Sequence, residues 1–348
     1  MTNLTDPRRY GDGSARPLAQ LAERDDAASL RQAVSDALAA GRDDDIRGAY
    51  AAVGSAASYR RLWEATAAAI DAPPAGAAVV TRVFAMPWLM VCGTRAAATL
   101  PCVFPDAGEL ARVMEEAGAL GANRNLGFAN ALCAVETLEH IPPSALRAWN
   151  TGGGARDCPP SPIVLAPGDE SVHLRFLLGA AVSPPEAPGI AETAAHIGTW
   201  GIKATRVMTK LLAQPGVDVL PVPRPPASIM KAAYAGRSAG LEAAFNLFLS
   251  NTLRRFRLKV GDPSLILSTH AGGELRATLH SPFDEGLTEG YRWPLHPLDD
   301  LAGIVAGMTD FAGECRILNI EAVPVILPDV TATGAIWFPT SADPDVPH

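Results

Sequence analysis

One stretch of the chain spells a pattern that can present a nucleophilic serine. Residues 236–240, GRSAG, form a G-x-S-x-G, which in one class of hydrolases marks a strained turn between a strand and a helix. Such a serine needs an acid and then a histidine further along the chain, and Asp284 and His296 follow in that order. Ser238, Asp284 and His296 are therefore candidate catalytic residues of a serine hydrolase.

The residues before this pattern favour a different interpretation. Segment 228–235 contains one β-branched residue, Ile229, and is otherwise rich in helix formers. Ala232, Gly236 and Gly240 recur every four residues, which places them on one face of a helix. Because glycine in a helix costs about 1 kcal/mol relative to alanine, we expect a close packing partner to offset that cost. The pattern predicts a bare helix face pressed against another element, with a helix break and a catalytic turn as alternatives.

A second candidate for chemistry is the stretch from Ser281 to Pro297, which we interpret as a long connection. Long connections in compact domains are often functional, and acids, aromatic rings and a histidine can line a polar ligand site. Acid–base chemistry here would use Asp284 and His296. The alternative is an ordered surface loop held by Trp293 and its prolines. The candidate binding residues are Glu285, Glu289, Tyr291, Arg292 and Trp293.

A third candidate lies in residues 118–133, GALGANRNLGFANALC. Asn123, Arg124 and Asn125 stand beside glycines there and can hydrogen-bond a ligand or the backbone of a partner. The same residue types are common in turns between helices, which is the interpretation that we favour. A helix carrying Phe128, Leu132, Val135 and Leu138 is then expected to follow.

Metal and cofactor sites are not indicated by the sequence. The five cysteines form no C-x-x-C pair, and the chain lacks a dinucleotide fingerprint, a P-loop and a zinc pattern. A hairpin around Gly272-Gly273 is expected to pair His270 with Leu275 and Leu265 with His280. In that register the two histidines lie on opposite faces, about 16 Å apart, and cannot share a metal ion. We therefore predict no metal and no cofactor.

The composition suggests that part of the protein surface is buried in an interface with a partner. The chain has 348 residues, of which 48% are hydrophobic and 19% charged, and its mean hydropathy is +0.11. The charged share is below the ~25% of ordinary soluble domains, which suggests a subunit interface. A net charge of −8 argues against a protein that grips nucleic acid. We expect a protein partner or a homo-oligomer.

The expected location is the cytoplasm of a bacterium. The polar N-terminus lacks the apolar core of a signal peptide, and the most apolar window, residues 83–93, is too short to span a bilayer and contains Pro87. Scattered cysteines fit a reducing compartment, and abundant Ala, Arg, Gly and Pro fit a GC-rich genome. No membrane span is expected.

Periodicity along the chain predicts an α+β fold with helices packed on mainly antiparallel sheet. The N-terminal part is more helical, and the C-terminal part carries a β-hairpin or meander around 255–280. Pro87 indicates that its strand is at an edge or a bulge. The expected organisation is a flexible tail (1–16), an N-terminal helical or α+β domain (17–150), a linker (151–168) and a C-terminal α+β domain (169–348). Expected helices include 198–214, 228–251 and 299–312, and expected strands include 78–92, 171–182, 217–223, 255–260, 264–270 and 275–280.

These observations favour a soluble assembly or partner-binding protein without an evident catalytic motif. The alternative is an enzyme that acts on a small molecule, either through Ser238 or through acid–base chemistry in residues 281–297.

Overall fold

The computed structural model describes residues 15–24, 26–152, 158–256, 263–270, 273–281, 284–322, 329–330 and 336–337. Most of the predicted tail and residues 257–260 of the predicted strand 255–260 lie outside these residues. The chain divides into two units, one formed by Met1–Thr66 with Phe248–His348 and the other by Ala67–Leu247. Residues 151–168 fall within the second unit along the chain, and their role as a linker stays a prediction.

Helices dominate the beginning of the first unit. The predicted stripe of Leu30, Val34 and Leu38 is buried on one face of the second helix. Asp26 opens that helix by accepting a hydrogen bond from the Ser29 amide at 3.0 Å, and Gly41 follows its end with a φ of +66°. The helices are α1 Ala15–Glu23, α2 Ala27–Ala39, α3 Asp43–Ala52 and α4 Ala56–Asp71, of which α4 ends in the second unit.

A four-stranded sheet in the order β10-β7-β8-β9 belongs to the first unit. Its first three strands in sequence form an antiparallel meander, and its last strand joins β7 in parallel. The strands are β7 Ser264–His270, β8 Glu274–Ser281, β9 Asp284–Pro294 and β10 Asn319–Ala322, with the predicted helix α11 Leu301–Glu314 between β9 and β10. A separate antiparallel pair joins β11 Asp329–Val330 to β12 Ile336–Trp337.

The predicted hairpin exists, but its predicted register is wrong by one residue. His270 pairs with Glu274, and Leu265 pairs with Leu279. Three residues connect the strands, and the last of them, Gly273, has a φ of +76°, as three-residue hairpins require. His270 and His280 therefore share one face of the sheet. They remain six residues apart along the ladder, which is about 20 Å.

The long connection predicted between Ser281 and Pro297 is also a wrong interpretation. Most of it is strand β9, which pairs with β8 from Glu274↔Pro294 to His280↔Thr288. Tertiary pairing with β8 outweighs the weak strand propensity of a segment that contains glycines, acids and a proline. Arg255, predicted to begin a strand, lies in the last turn of a helix instead.

The second unit is built around an antiparallel sheet in the order β3-β5-β1-β6. Its central strands β1 and β5 pair over thirteen residues and are buried along most of their length. The strands are β1 Val80–Thr94, β3 Arg124–Cys133, β5 Ser171–Ser183 and β6 Val217–Pro223, and a small pair joins β2 Ala98–Leu100 to β4 Ile163–Leu165. The helices are α5 Gly108–Glu116, α6 Val135–Glu139, α7 Pro143–Gly152, α8 Ile190–Thr193, α9 Gly201–Leu212 and α10 Ile229–Phe256, whose last residues lie in the first unit.

Pro87 lies in a central strand and not at an edge, but it sits at an irregularity of the pairing. The partner of Trp88 is Pro223, whereas the partner of Ala85 is Ala227, so the register shifts by one residue between them. The Arg224 amide donates to the Pro87 carbonyl at 2.8 Å inside this bulge. A proline is tolerated here because a bulge does not require its missing N–H group.

The helix predicted through Phe128 and Leu138 is wrong in its first half. Phe128 and Leu132 lie on strand β3, and only Val135–Glu139 is helical. Strand β3 pairs with β5, and its register shifts between Phe128 and Leu132. This irregularity breaks the period of two and leaves apolar residues four apart, which resembles a helical stripe.

The bare helix face predicted at Ala232, Gly236 and Gly240 is confirmed. All three lie on α10, and Ala232 is completely buried. A Cβ atom on Gly236 would lie 2.8 Å from the Phe176 ring and 3.0 Å from the Pro87 Cβ, and one on Gly240 would lie 3.3 Å from the Leu174 Cβ. Helix α10 therefore presses against the central strands of the sheet at its glycines. The chain is an α+β protein with mainly antiparallel sheets, as predicted.

Candidate functional site

A cavity of about 260 Å³ lies in the second unit beside the beginning of α10. The ends of several elements form its wall, so that residues far apart in the sequence come together there. Its polar lining includes Asp71 from the end of α4, Arg82 from β1, Asn150 from α7, Glu192 from α8, and Ser228 and Lys231 from the start of α10.

Asp71 is the half-buried carboxylate of this cavity. Its side chain is 29% exposed, and its Oδ2 lies 3.6 Å from the Lys231 ammonium, which is 55% exposed. Burial raises the pKa of the Asp71 carboxyl above its ordinary value, although the Ser228 hydroxyl, Lys231 and Arg82 act in the opposite direction. Within the described residues, no hydrogen bond of normal geometry reaches this carboxylate.

Ser228 stands immediately before α10, in the position that usually caps a helix. Its carbonyl accepts the first helical bond, from the Ala232 amide at 2.8 Å. Its hydroxyl is buried and makes no hydrogen bond of normal geometry within the described structure, although it lies close enough to Asp71 to affect that carboxyl. A capping serine ordinarily accepts a bond from an amide of the first turn, and Ser228 does not do so. Among the residues described, no side chain therefore caps the first amides of α10.

Arg82 supplies a positive charge that neutral groups hold in place. Its Nε donates to the Ser183 hydroxyl at 3.2 Å, and its Nη2 donates to the carbonyls of Pro185 at 2.9 Å and Ala187 at 3.2 Å. Among the residues that the structure describes, no carboxylate lies within ion-pair distance of this guanidinium. The charge is thus fixed in position without a counter-ion in contact.

Asn150 holds the wall of the cavity together. Its Oδ1 accepts from the Val83 amide at 2.8 Å, and its Nδ2 donates to the Ile70 carbonyl at 3.1 Å, which connects α7 to β1 and to the end of α4. On the other side, Ala227 exchanges two backbone hydrogen bonds with Ala85, at 2.9 and 3.0 Å. These bonds fix Asp71, Arg82 and Ser228 relative to one another.

The cavity combines a polar wall with apolar residues. Two cations, Arg82 and Lys231, stand against two carboxylates, Asp71 and Glu192, of which Glu192 is exposed. The partial positive charge of the α10 N-terminus adds to the cationic side. The apolar lining includes Val80, Phe84, Ile190 and Pro226. Such a mixture suits a small ligand with charged groups and a short apolar body.

Ser238 lies in the interior of α10 and not at a turn. Its hydroxyl donates to the Tyr234 carbonyl one turn earlier at 3.2 Å. The strand that a catalytic turn needs before Gly236 is replaced by helix from Ile229 onward. The structure therefore gives Ser238 the geometry of a residue in a helix interior.

The other two catalytic candidates lie in the first unit. Asp284 is at the start of β9, opposite Ser281, and its side chain is outside the described part of the structure. The backbone amide of His296 donates to the Asp299 carboxylate at 2.8 Å, and its Nδ1 accepts from the Leu298 amide at 3.2 Å. The His296 ring contacts the Tyr59 ring edge to face, with the centroids 5.6 Å apart. Acid–base chemistry at these residues stays a prediction.

The candidate binding residues of the same stretch are divided between the two faces of β9. Trp293, Tyr291 and Glu289 pair with Leu275, Ala277 and Leu279 and so share the buried face of β8. Glu289 accepts from the Arg255 guanidinium at 2.7 Å. Tyr291 contacts the Phe248 ring at 5.8 Å. Arg292 points to the opposite face, and Glu285 lies on β9 with its side chain outside the description.

The candidates at 123–125 make mostly local contacts, which fit a turn. The Asn123 amide donates to the carbonyls of Leu120 at 2.6 Å and Pro188 at 3.2 Å, and this residue is buried. Arg124 donates to the carbonyls of Gly121 and Asn123, both at 2.9 Å. Asn125 adopts a φ of +53°, which asparagine tolerates better than most residues. The turn leads into strand β3 and not into a helix, and a binding role for these residues stays a prediction.

Sequence reasoning missed all the charged residues of the cavity. Asp71 and Lys231 are 160 positions apart, and no local spacing connects them. One signal was present, since Ser228 and Lys231 lie three residues apart at the start of a predicted helix and so share its first turn. The sequence around Arg82 gives no indication of a site, because a polar residue is common at the start of a strand.

Within the described residues, no group of three or more His, Cys, Asp or Glu side chains is placed to hold a metal ion. All five cysteines are free thiols. In the same part of the chain, no helix is both long enough and apolar enough to cross a bilayer.

No protein-family model, no curated protein and no solved structure matches this chain.

Proposed function

We propose that the second unit binds a small carboxylate-bearing ligand in the cavity beside α10. The observation that carries this proposal is Arg82, a guanidinium that lines the cavity and is held by three neutral acceptors without a carboxylate in contact. Partly buried charges are generally paired, and the Nη1 of Arg82, which makes none of these three bonds, can donate to a carboxylate. A ligand carboxylate would supply the missing counter-ion.

Two neighbouring features support an anionic group at this place. The Lys231 ammonium adds a second positive charge, and its only ion pair in the described structure is the long one with Asp71. The first turn of α10 presents uncapped amides, and helix N-termini favour anions. A volume of about 260 Å³ is slightly below the range of ~300–1,000 Å³ usual for ligand sites, so the ligand is small.

The experiment is isothermal titration calorimetry of the full chain with the carboxylates acetate, butanoate, pentanoate and hexanoate. We expect Arg82→Met to weaken binding about tenfold or more, because a hydrogen bond to a charged group contributes about 1.5–3 kcal/mol. Arg206→Met is the matched control, since Arg206 is an exposed arginine of α9 outside the cavity. If none of the four carboxylates binds, or if both variants weaken binding equally, the proposal is overturned.

A second candidate function is assembly, which composition already favours. Three large apolar side chains of the second unit support it: Leu220 on the edge strand β6 is 53% exposed, Val164 is 77% exposed and Ile202 is 70% exposed. Exposed apolar side chains mark protein interfaces, so we propose a homo-oligomer that buries Leu220 of β6. Light scattering coupled to size exclusion tests this, with Leu220→Glu expected to lower the mass and a monomeric wild type contradicting it.

We place either function in the bacterial cytoplasm. The scattered cysteines and the Ala, Arg, Gly and Pro content support this location, and the net charge of −8 supports a protein or small-molecule partner over nucleic acid.

A further inference from the structure

We infer that the ligand of the cavity is a small α-amino acid, with its carboxylate on Arg82 and its ammonium group on Asp71. This inference rests on the proposed function, because it names the chemical class of the ligand at the same site.

The carboxylate of Asp71 has hydrogen-bond acceptor positions that the protein leaves unused. An ionised carboxylate has about four acceptor positions. Here the nearest cation, Lys231, stands 3.6 Å from Oδ2, and within the described residues no hydrogen bond of normal geometry reaches the carboxylate. The raised pKa of Asp71 has the same origin, since burial penalises a charge that its neighbours compensate only in part. An ammonium group with three donors would satisfy these oxygens.

The balance of charge in the cavity favours a ligand that carries both signs. Arg82 and Lys231 stand against Asp71 and Glu192, so the lining is neutral in sum. A simple carboxylate would satisfy Arg82 and add an uncompensated negative charge beside Asp71. A zwitterion satisfies both sides, because each of its charged groups meets an opposite one.

The arrangement of the charges fits an α-amino acid. Arg82 and Asp71 are too far apart to form an ion pair within the described structure, yet the guanidinium still acts on the pKa of the Asp71 carboxyl. In an α-amino acid the ammonium group and the carboxylate are attached to the same carbon atom, so one small molecule can bridge a gap of this kind. The apolar residues Val80, Phe84 and Ile190 leave room for a short aliphatic side chain, and a volume of about 260 Å³ suits a ligand of this size.

The test compares an amino acid with two analogues that each lack one of its charged groups, by calorimetry on the full chain. L-norvaline has both charged groups, pentanoate lacks the ammonium group, and butylamine lacks the carboxylate. We expect norvaline to bind at least tenfold more tightly than either of the others. If pentanoate binds as tightly as norvaline, the inference is overturned while the proposed function stands. If neither norvaline nor pentanoate binds, the inference and the proposed function are both overturned.

Two variants test which residue binds each charged group of the ligand. We expect Asp71→Asn to abolish the preference for norvaline over pentanoate and to leave pentanoate binding in place, whereas Arg82→Met weakens both. Asp218→Asn is the matched control, because Asp218 is an exposed residue of β6 outside this cavity. An unchanged preference in Asp71→Asn would overturn the inference. The comparison of the three ligands on the wild type stands even if a variant does not fold.

Discussion

Gly236 of α10 lies directly against Phe176 of β5. A Cβ atom at Gly236 would come within 2.8 Å of the ring carbon Cε1 and within 2.9 Å of Cζ, and the Pro87 Cβ closes the same space at 3.0 Å. An aromatic ring in a buried strand has little freedom to withdraw, because its neighbours fill the surrounding volume. The helix approaches the sheet this closely only because residue 236 lacks a side chain.

We predict that Gly236→Ala lowers the free energy of unfolding by up to about 2 kcal/mol. Overpacking costs about 1–3 kcal/mol, and the gain in helix propensity of about 1 kcal/mol offsets part of it. The matched control is Gly307→Ala in α11, where a Cβ meets nothing within 4 Å, and here we expect stabilisation of about 0.5–1 kcal/mol. Urea unfolding measures both variants. Stabilisation of the two variants by equal amounts would contradict the close packing of α10.

This contact was predictable from the sequence because the spacing of Ala232, Gly236 and Gly240 is local. Two glycines in a helix need a structural reason, and their period of four residues indicates which face carries it. The same reasoning predicted the buried stripe of α2. Where one face of a helix packs against the core, the spacing of residues in the sequence predicts the buried face.

The errors arose where pairing between strands overrides the local pattern. The β9 segment contains Gly290 and Pro294 and has weak strand propensity, yet β8 supplies a partner for every residue from Thr288 to Pro294. Bulges in β3 disturb the alternation between Phe128 and Leu132, so a helical period emerged from a strand. The cavity could not be predicted for a related reason, since Asp71, Arg82 and Lys231 meet only after the sheet has formed.

Asn150 is predicted to be the residue of the cavity wall that contributes most to stability through hydrogen bonds. Asn150→Ala removes the acceptor of the Val83 amide and the donor to the Ile70 carbonyl, and we expect a loss of about 1–3 kcal/mol. Asn130→Ala is the control, because Asn130 is an exposed asparagine of β3, and its effect should stay within about 0.5 kcal/mol. Equal unfolding midpoints of the two variants in urea would show that these bonds contribute little.

Cys158 is predicted to be the most reactive thiol of the second unit. The neighbouring Cys133 lowers the pKa of Cys158, while burial raises the pKa of Cys92 to about 11 and also raises that of Cys102. Because the thiolate is the reactive form, iodoacetamide near pH 7 should modify Cys158 first. Peptide mass spectrometry after timed labelling measures the order, with Cys158→Ser as the control. Faster modification of Cys92 would contradict the prediction.

The pH dependence of stability should report the burial of Asp71. Its pKa is raised in the folded state from the ordinary value of 3.8, mainly by burial, so the folded chain holds this proton more tightly than the unfolded chain. This contribution to stability is complete below the unfolded pKa and is lost as the pH rises through the folded pKa. In Asp71→Asn the contribution is absent, so the unfolding midpoint of the variant should fall less than that of the wild type as the pH rises from about 4 toward 7.

Asp218→Asn serves again as the control for this measurement, since an exposed carboxylate should leave the pH profile of the wild type unchanged. A ligand that brings an ammonium group to Asp71 stabilises the ionised carboxylate and lowers its folded pKa. Saturating L-norvaline should therefore flatten the profile of the wild type and leave that of Asp71→Asn unaltered in slope. Parallel profiles for wild type and Asp71→Asn without ligand would mean that Asp71 titrates alike in the folded and unfolded chains, contrary to its position in the cavity wall.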